Sequence, residues 1–416
     1  MTEKRLYQTN DIEITRLELY NFNGDKLNII NDFINMAIRE DMFAPCTTGS
    51  ILMIDSTGIY EEFPIIGEET LVIEYRTDQS NEFILRKFYI YSVSDKERTN
   101  VKGENYVLNF CSEEFITNRA TKVSRSFVNT VGSDVVKSIL KNDLKSTKML
   151  DVEESIGEVN YVSPQIHPVE LIYAMAKRSR SAANTSGASY VFFENNVGFV
   201  FKTIESLIAQ TPTKFQIDST QSINTLGETA KQIIFAHQLS QTANTLTHMS
   251  AGSYGVNVKS LNLMNKTLTD VSYNYFDDST YKANNHINSS SPANRLQTSQ
   301  FKFKENTATF KFVVDSGDNF KSKNVGPRYA QLAIFANGPK MNCEVPFNSD
   351  ITVGGTVYVD MKTKTAADKE SDIMREDKYL AGKYLLTAVS HNIALGRATT
   401  SMELSKDTFT NDHEDR

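Results

Sequence analysis

The chain has 416 residues, of which 40% are hydrophobic and 23% charged, and its formal net charge is −7. At roughly 150 residues per domain this length predicts two or three folded domains, and the composition is that of globular protein and not of a disordered chain. No run of about 18 apolar residues marks a membrane span, and no basic block supplies the electrostatic footprint of tight nucleic-acid binding.

The opening MTEKRLYQTNDIEITRL lacks an apolar leader core, which predicts a chain that is not exported. Cys46, Cys111 and Cys343 lie far apart, form no CxxC pair, and are expected to be buried free thiols. From Ile12 to Phe115, short β-branched and aromatic runs such as LELYNF (17–22), SILMIDSTGIY (50–60) and TLVIEY (70–75) alternate with turn signals, which predicts an all-β domain. In TLVIEY, Leu71, Ile73 and Tyr75 share one face, and a period of two sends them to the core. KFYIYSV (87–93) is apolar on both faces, so packing is expected on each side.

Helical periods follow. SDVVKSILKNDL (133–144) places Val135, Val136, Ile139 and Leu140 on one side behind Ser133 as N-cap. HPVELIYAMAKRSR (167–180) has Pro168 in its first turn and Lys177, Arg178 and Arg180 at its end, where cations complement the helix dipole; that reading is preferred to a phosphate site. YVFFENNVGFVFK (190–202) reads as a hairpin turning at Asn195 and Asn196. Residues 225–250 have weak helical periodicity ending at Ala251-Gly252, and VNVKSLNLMNKTLTDVSYNY (256–275) returns to strand composition. The Asn- and Ser-rich stretch from Asp277 to about Gln300 is expected to be a long loop or arm, tolerant of deletion at 284–294.

The most informative feature is an internal repeat. TLVIEY (70–75), KFYIYSVSD (87–95) and YVLNFCSEEF (106–115) recur in the same order as TVYVDM (356–361), KYLLTAVSH (383–391) and TSMELSKDTF (400–409). The extra residues of the second copy fall in a charged segment (362–382), where a surface loop grows at little entropic cost. Duplication predicts equivalent strands in two related β units, with Val357, Val359 and Met361 facing inward as Leu71, Ile73 and Tyr75 do.

No catalytic, cofactor-binding or metal-ligating residue is predicted. His167, His237, His248, His286, His391 and His413 are scattered without ligand spacing. Gly382-Lys383 lacks the other residues of a P-loop, since Asp377 stands where a Gly is needed, and no GxSxG occurs. The carboxylates between Asp368 and Asp377 read as a solvated surface.

The runs DMFAPCTTGSILMIDSTGIYEEFPIIGEETLVIEY (41–75) and CEVPFNSDITVGGTVYVDM (343–361), with the blocks that follow the second, resemble the two tube-type barrels of the T-even-like phage baseplate hub family. That resemblance implies a mainly β fold with α/β insertions. Two related antiparallel β-barrel domains are expected at 1–115 and at 225–275 plus 329–410, an α/β hub domain at 116–224, and an inserted arm at 276–328. It further implies a non-enzymatic homotrimer that forms a pseudo-sixfold ring in the tail baseplate of a virion assembled in the host cytoplasm. Its expected partners are the hexameric tail tube or a tube initiator, a trimeric spike or tail lysozyme, the tape-measure protein and the baseplate wedge, with DNA passing through unbound. The alternatives are the hub portion of another contractile injection machine, which usually carries a fused C-terminal spike where this chain ends at DTFTNDHEDR, and a glycan-binding or glycan-degrading tail accessory, which the absence of Trp disfavours.

Overall fold

The computed structural model describes residues 12–56, 58–77, 83–98, 103–184, 187–217, 232–241, 244–274, 287, 310–315, 325–362, 376–377, 380–394 and 397–407. The first portion contributes β1 (Ile12–Tyr20), β2 (Lys26–Asn28), β3 (Phe33–Asp41), β4 (Thr48–Asp55), the short helix α1 (Ile59–Glu62), β5 (Thr70–Thr77), β6 (Ile84–Arg98) and β7 (Glu104–Cys111). These strands pair antiparallel in the order β3-β4-β7-β6-β5-β1-β2. Gly49 is required where β3, β4 and β7 cross, because a Cβ there would fall 2.1 Å from the Phe110 ring and 2.4 Å from the Ala37 carbonyl oxygen.

The middle portion holds α2 (Glu113–Ala120), β8 (Ser126–Val131), α3 (Gly132–Ser138), β9 (Met149–Val152), β10 (Ser155–Ile156), β11 (Glu158–Val162), α4 (Pro168–Ala176), β12 (Arg180–Ser181), β13 (Tyr190–Glu194), β14 (Gly198–Thr203) and α5 (Ile204–Ile208). Its core joins Val135, Val136, Ile139 and Leu140 to Leu171, Ile172 and Met175 and to four aromatic residues of the β13–β14 hairpin, Tyr190, Phe192, Phe199 and Phe201. The predicted faces are therefore buried, but the boundaries differ. α3 begins at Gly132 behind Val131, not Ser133, and continues as a π turn over Ile139–Asp143. α4 stops at Ala176 and not at 180, so of the basic cluster only Lys177 stands at the helix end, as its C-cap, while Arg178 donates from Nη1 to the Ala174 carbonyl at 3.0 Å and lies over the Tyr161 ring and Arg180 belongs to β12.

The last portion adds β15 (Thr213–Ile217), β16 (Ile233–Ile234), β17 (Ala236–Gln241), α6 (Thr245–Ala251), β18 (Gly255–Asn262), β19 (Thr267–Asn274), β20 (Phe310–Asp315), α7 (Val325–Asn337), β21 (Lys340–Pro346), β22 (Thr356–Asp360), β23 (Gly382–Ala394) and β24 (Arg397–Ser405). The weak helical pattern of 225–250 is corrected here. Within its described part, 233–234 and 236–241 are strand, and helix begins only at Thr245, ending at Gly252 in the left-handed region. Its side chains are poor in contrast and backbone pairing with β21 decides the conformation. The strands β18, β19 and β20 form a separate small sheet against α7, and β15 joins β22 in parallel. Most of the Asn- and Ser-rich stretch, including 284–294 apart from Ile287, lies outside the described residues.

The repeat is visible as two matching ladders. β17-β21-β24-β23-β22 has the strand order of β3-β4-β7-β6-β5. Thr70 faces Tyr89 as Thr356 faces Leu385, Cys111 faces Tyr89 and Thr48 as Ser405 faces Leu385 and Lys340, and a bulge falls between Ile90 and Ser92 as between Leu386 and Ala388. Leu71, Ile73 and Tyr75 are buried, and so are Val357, Val359 and Met361. β6 departs from expectation on its outer side, where Tyr91 is 51% exposed.

The two ladders form one 14-stranded sheet because β3 pairs with β23. Buried ions fasten the middle portion to it. The Glu194 carboxylate, 4% exposed, accepts from Thr47 N at 2.9 Å, Ser112 Oγ at 2.6 Å and Lys148 Nζ at 2.6 Å, while Lys148 also meets Glu114 at 2.6 Å. Breaking a buried pair strands its partner, so Glu194→Ala is expected to cost about 3 kcal/mol of unfolding free energy in urea titration. A loss under about 0.5 kcal/mol would show that water already serves these groups.

Candidate functional site

Alternation along the shared sheet gives it one face committed to the two cores and another turned to solvent. On the solvent side stand Asn35, Ala37, Arg39 and Asp41 of β3, Thr48, Ser50 and Leu52 of β4, and Asn105, Val107 and Asn109 of β7. Across the joint they continue as Ala388, Ser390 and Asn392 of β23, Thr399, Ser401 and Glu403 of β24, and Lys340, Asn342 and Glu344 of β21. Neighbouring strands satisfy one another: Asn109 Nδ2 donates to Ser94 Oγ at 3.1 Å, Asn392 Nδ2 to Ser401 Oγ at 3.0 Å, and Lys340 Nζ to Glu403 Oε1 at 2.8 Å.

A depression of 560 Å³ opens on this face beside Arg39, Asp41, Gln238, Asn342, Ser390 and Glu403. Its floor is a continuous sheet surface, and the two lining groups whose pKa burial pushes up, Glu40 and Cys343, point to the core side of their strands. Charges alternate: Arg39, Lys340 and Arg397 are balanced on β3, β21 and β24 by Asp41, Glu344 and Glu403. Such a face offers a polyanion neither a cluster of cations nor a wall of like charge.

The histidines are dispersed. His167 Nδ1 lies 2.9 Å from the Asn118 carbonyl oxygen, buried His248 meets Ser253 Oγ at 3.0 Å, and His237 is exposed on β17. His286 and His413 lie outside the described residues. No group of three metal-ligating side chains occurs among the described residues. Lys383, the residue after Gly382, donates from Nζ to the Gln210 carbonyl at 2.7 Å, just beyond α5, a structural contact in place of a phosphate one. The three thiols are buried and free, as expected.

Sequence reading missed β17 and the sheet edge that it forms. Extending the repeat one block further back, with GSILMI (49–54) set against MNCEVP (341–346), would have assigned a partner strand before each and located it.

No family model matches the chain. Over 408 residues it is 20% identical to the probable baseplate hub protein gp334 of Vibrio phage KVP40, with 92% of each chain covered. The chain is similar in sequence, over nearly its whole length, to a phage baseplate hub protein. The fold agrees with that likeness. The tail protein from Neisseria meningitidis MC58 is similar with a TM-score of 0.53 and 10% identity, over 95% of this chain and 97% of that one. The 43 kDa tail protein of prophage MuSo2 from Shewanella oneidensis is similar with a TM-score of 0.52 and 10% identity, over 95% and 99%. The mainly β fold expected from the sequence is therefore present, as a curled sheet shared by the two units.

One buried base sits at the centre of the hub-like sheet. His391, on β23 opposite Ile38 and bonded through Nδ1 to Thr400 Oγ1 at 3.1 Å, is held down to about 4 from its usual 6.5 by burial, reinforced by the charge of Arg86. Folding thus favours the neutral ring. The unfolded chain takes up the proton first as pH falls, so stability present above pH 6.5 is lost between 6.5 and about 4. At pH 5 the loss is about 2 kcal/mol, taking about 1.4 kcal/mol per pH unit. Urea titrations at pH 7 and pH 5 should show a difference smaller by about that amount in His391→Gln than in the parent chain.

Proposed function

We propose that this protein is the ring-forming hub subunit of a contractile tail, three copies of which make a pseudo-sixfold ring between a hexameric tail tube and a trimeric spike. The observation that carries this reading is the in-register duplication. A chain with two equivalent sheet units lets threefold symmetry present six similar surfaces, which is what a joint between a sixfold and a threefold partner needs. Its work is mechanical: it holds partners in register in the tail and does no chemistry. The likeness to a baseplate hub protein supports the same role.

The solvent face of the shared sheet is the wall of the channel in this reading. Passage of DNA demands weak, uniform contact, since each phosphate neutralised by a fixed cation releases counterions and lowers the free energy of the arrested state. Small hydroxyl and amide side chains with balanced charge meet that demand. The partners in this assignment are the tube and spike proteins of the same tail.

The assembly is tested by native mass measurement of the chain purified with its own tail-tube and spike proteins, where three copies per complex are expected and a stable dimer or tetramer contradicts the reading. The channel is tested separately by the triple variant Asn342→Lys, Ser390→Lys and Ser401→Lys. Its exposed or half-exposed positions predict folding and particle assembly within the parent's range, with DNA delivery per particle falling at least tenfold. Unchanged delivery by intact particles contradicts the channel assignment.

A further inference from the structure

The joint between the two sheet units has two unused counterparts. Within the chain, β3 pairs antiparallel with the second half of β23, Ser390 facing Arg39 and Asn392 facing Ala37. The ladders equate β6 with β23 and β17 with β3. On β6, pairing with β5 ends at Tyr89, and Ile90 N makes the last bond of that side, to the Glu69 carbonyl; no strand lies beyond it there among the described residues. On β17, β21 occupies one side, and among the described residues no strand occupies the other. Each unit thus shows the half of the joint that the other unit has used.

We propose that β17 of one copy pairs antiparallel with the outer half of β6 of a second copy, repeating between chains the β3–β23 joint found within one. The proposal rests on the ring reading above and gives it a residue register. Following the ladders strand by strand places Ser94 opposite Gln241, because their equivalents Ser390 and Arg39 are paired. The same walk through Asn105, Thr399, Asn109 and Asn342 places Glu97 opposite Gln238, the equivalents of Asn392 and Ala37.

A detail of the irregularities supports this register. β6 shifts against β7 between Ser94 and Glu97, and β17 shifts against β21 between Leu239 and Gln241, each strand carrying one extra residue. Neither β23 nor β3 has an extra residue at that level. An extra residue on one strand alone would break the new joint, yet these two fall opposite each other: from 94 to 97 is three steps, and from 241 to 238 is three steps. The ladder stays continuous. Burial points the same way. Val389 and Ile38 are covered at the internal joint, while their equivalents Val93 and Leu239 are only half-buried. The contact is head-to-tail, so it propagates until a ring closes.

Residues opposite each other in an antiparallel pair have Cα atoms about 4.5–5.5 Å apart, inside the range that a disulfide spans. The test is oxidation of the full chain carrying Glu97→Cys with Gln238→Cys. Oxidation traps encounters irreversibly, so the free protein suffices even if it is mainly monomeric. The equivalent internal pair, Ala37→Cys with Asn392→Cys, reports whether such a joint is chemically competent, and Ser94→Cys with Gln238→Cys is the off-register control. The expected result is a bond within one chain for the internal pair, and interchain bonds for Glu97→Cys with Gln238→Cys at least fivefold above the control, ending in a closed three-chain species. If the internal pair closes and the interchain pair stays at the control level, the joint is overturned; a trimeric native mass in that sample leaves the ring reading standing. Covalent chains that grow past three without closing support the joint and overturn the trimer.

Discussion

Seven residue pairs between 35–41 of β3 and 388–394 of β23 are the contact on which the molecule depends, since they turn two sheet units into one sheet. The pairing is reinforced on its core side. Glu40, buried on β3, accepts from Thr352 Oγ1 at 2.6 Å and Val353 N at 3.3 Å, and so ties the joint to the loop before β22. Burial raises the Glu40 pKa, and these two donors work against that rise. Phe347, Ile393 and Ala398 fill the core of the first unit, and Met42 enters that of the second. Each core thus contains side chains from the other end of the sequence. Separating the units would open both cores and leave the Glu40 carboxylate without its partners.

The sequence made the strands of the repeat legible because both copies keep a period of two and the same order of blocks; the inward triplets Leu71, Ile73, Tyr75 and Val357, Val359, Met361 follow from that period alone. The hairpin at Asn195 and the helix stop at Gly252 were legible from local chemistry. What could not be read are features settled by distant partners. β17 is strand because β21 offers it a ladder, although AHQLSQ has little alternation of its own. β15 sits parallel beside β22 across a sequence separation of 144, from Thr213–Val357 to Phe215–Val359. The polar face of the sheet was present in the sequence as the residues between the apolar ones, but which of them share a surface depends on the joint between β3 and β23.

Insertions in the second unit show what the joint constrains. Six residues, 42–47, connect β3 to β4, whereas their equivalents β17 and β21 are separated by residues 242–339, which carry α6, the β18–β19–β20 sheet and α7. The loop after β22 has likewise grown relative to the one after β5. Both insertions leave from strand ends and disturb no ladder between equivalent strands, which is where chain length can vary at low entropic cost.

The two joints differ in a way that their stages of formation require. The internal joint forms once, during folding, and can bury Ile38, Val389 and His391 without exposing them again. An edge that waits for a second copy has to remain in water meanwhile, where a flat apolar strand would pair with any neighbour. β6 meets that demand with Ser94, Asp95 and Glu97 and with a shift in its ladder, and β17 with His237, Gln238 and Ser240 and a shift of its own. Either shift mismatches the edge against a regular strand, and only a partner shifted at the same level restores the spacing of donors and acceptors. The irregularity that protects each edge from the wrong partner therefore selects the right one.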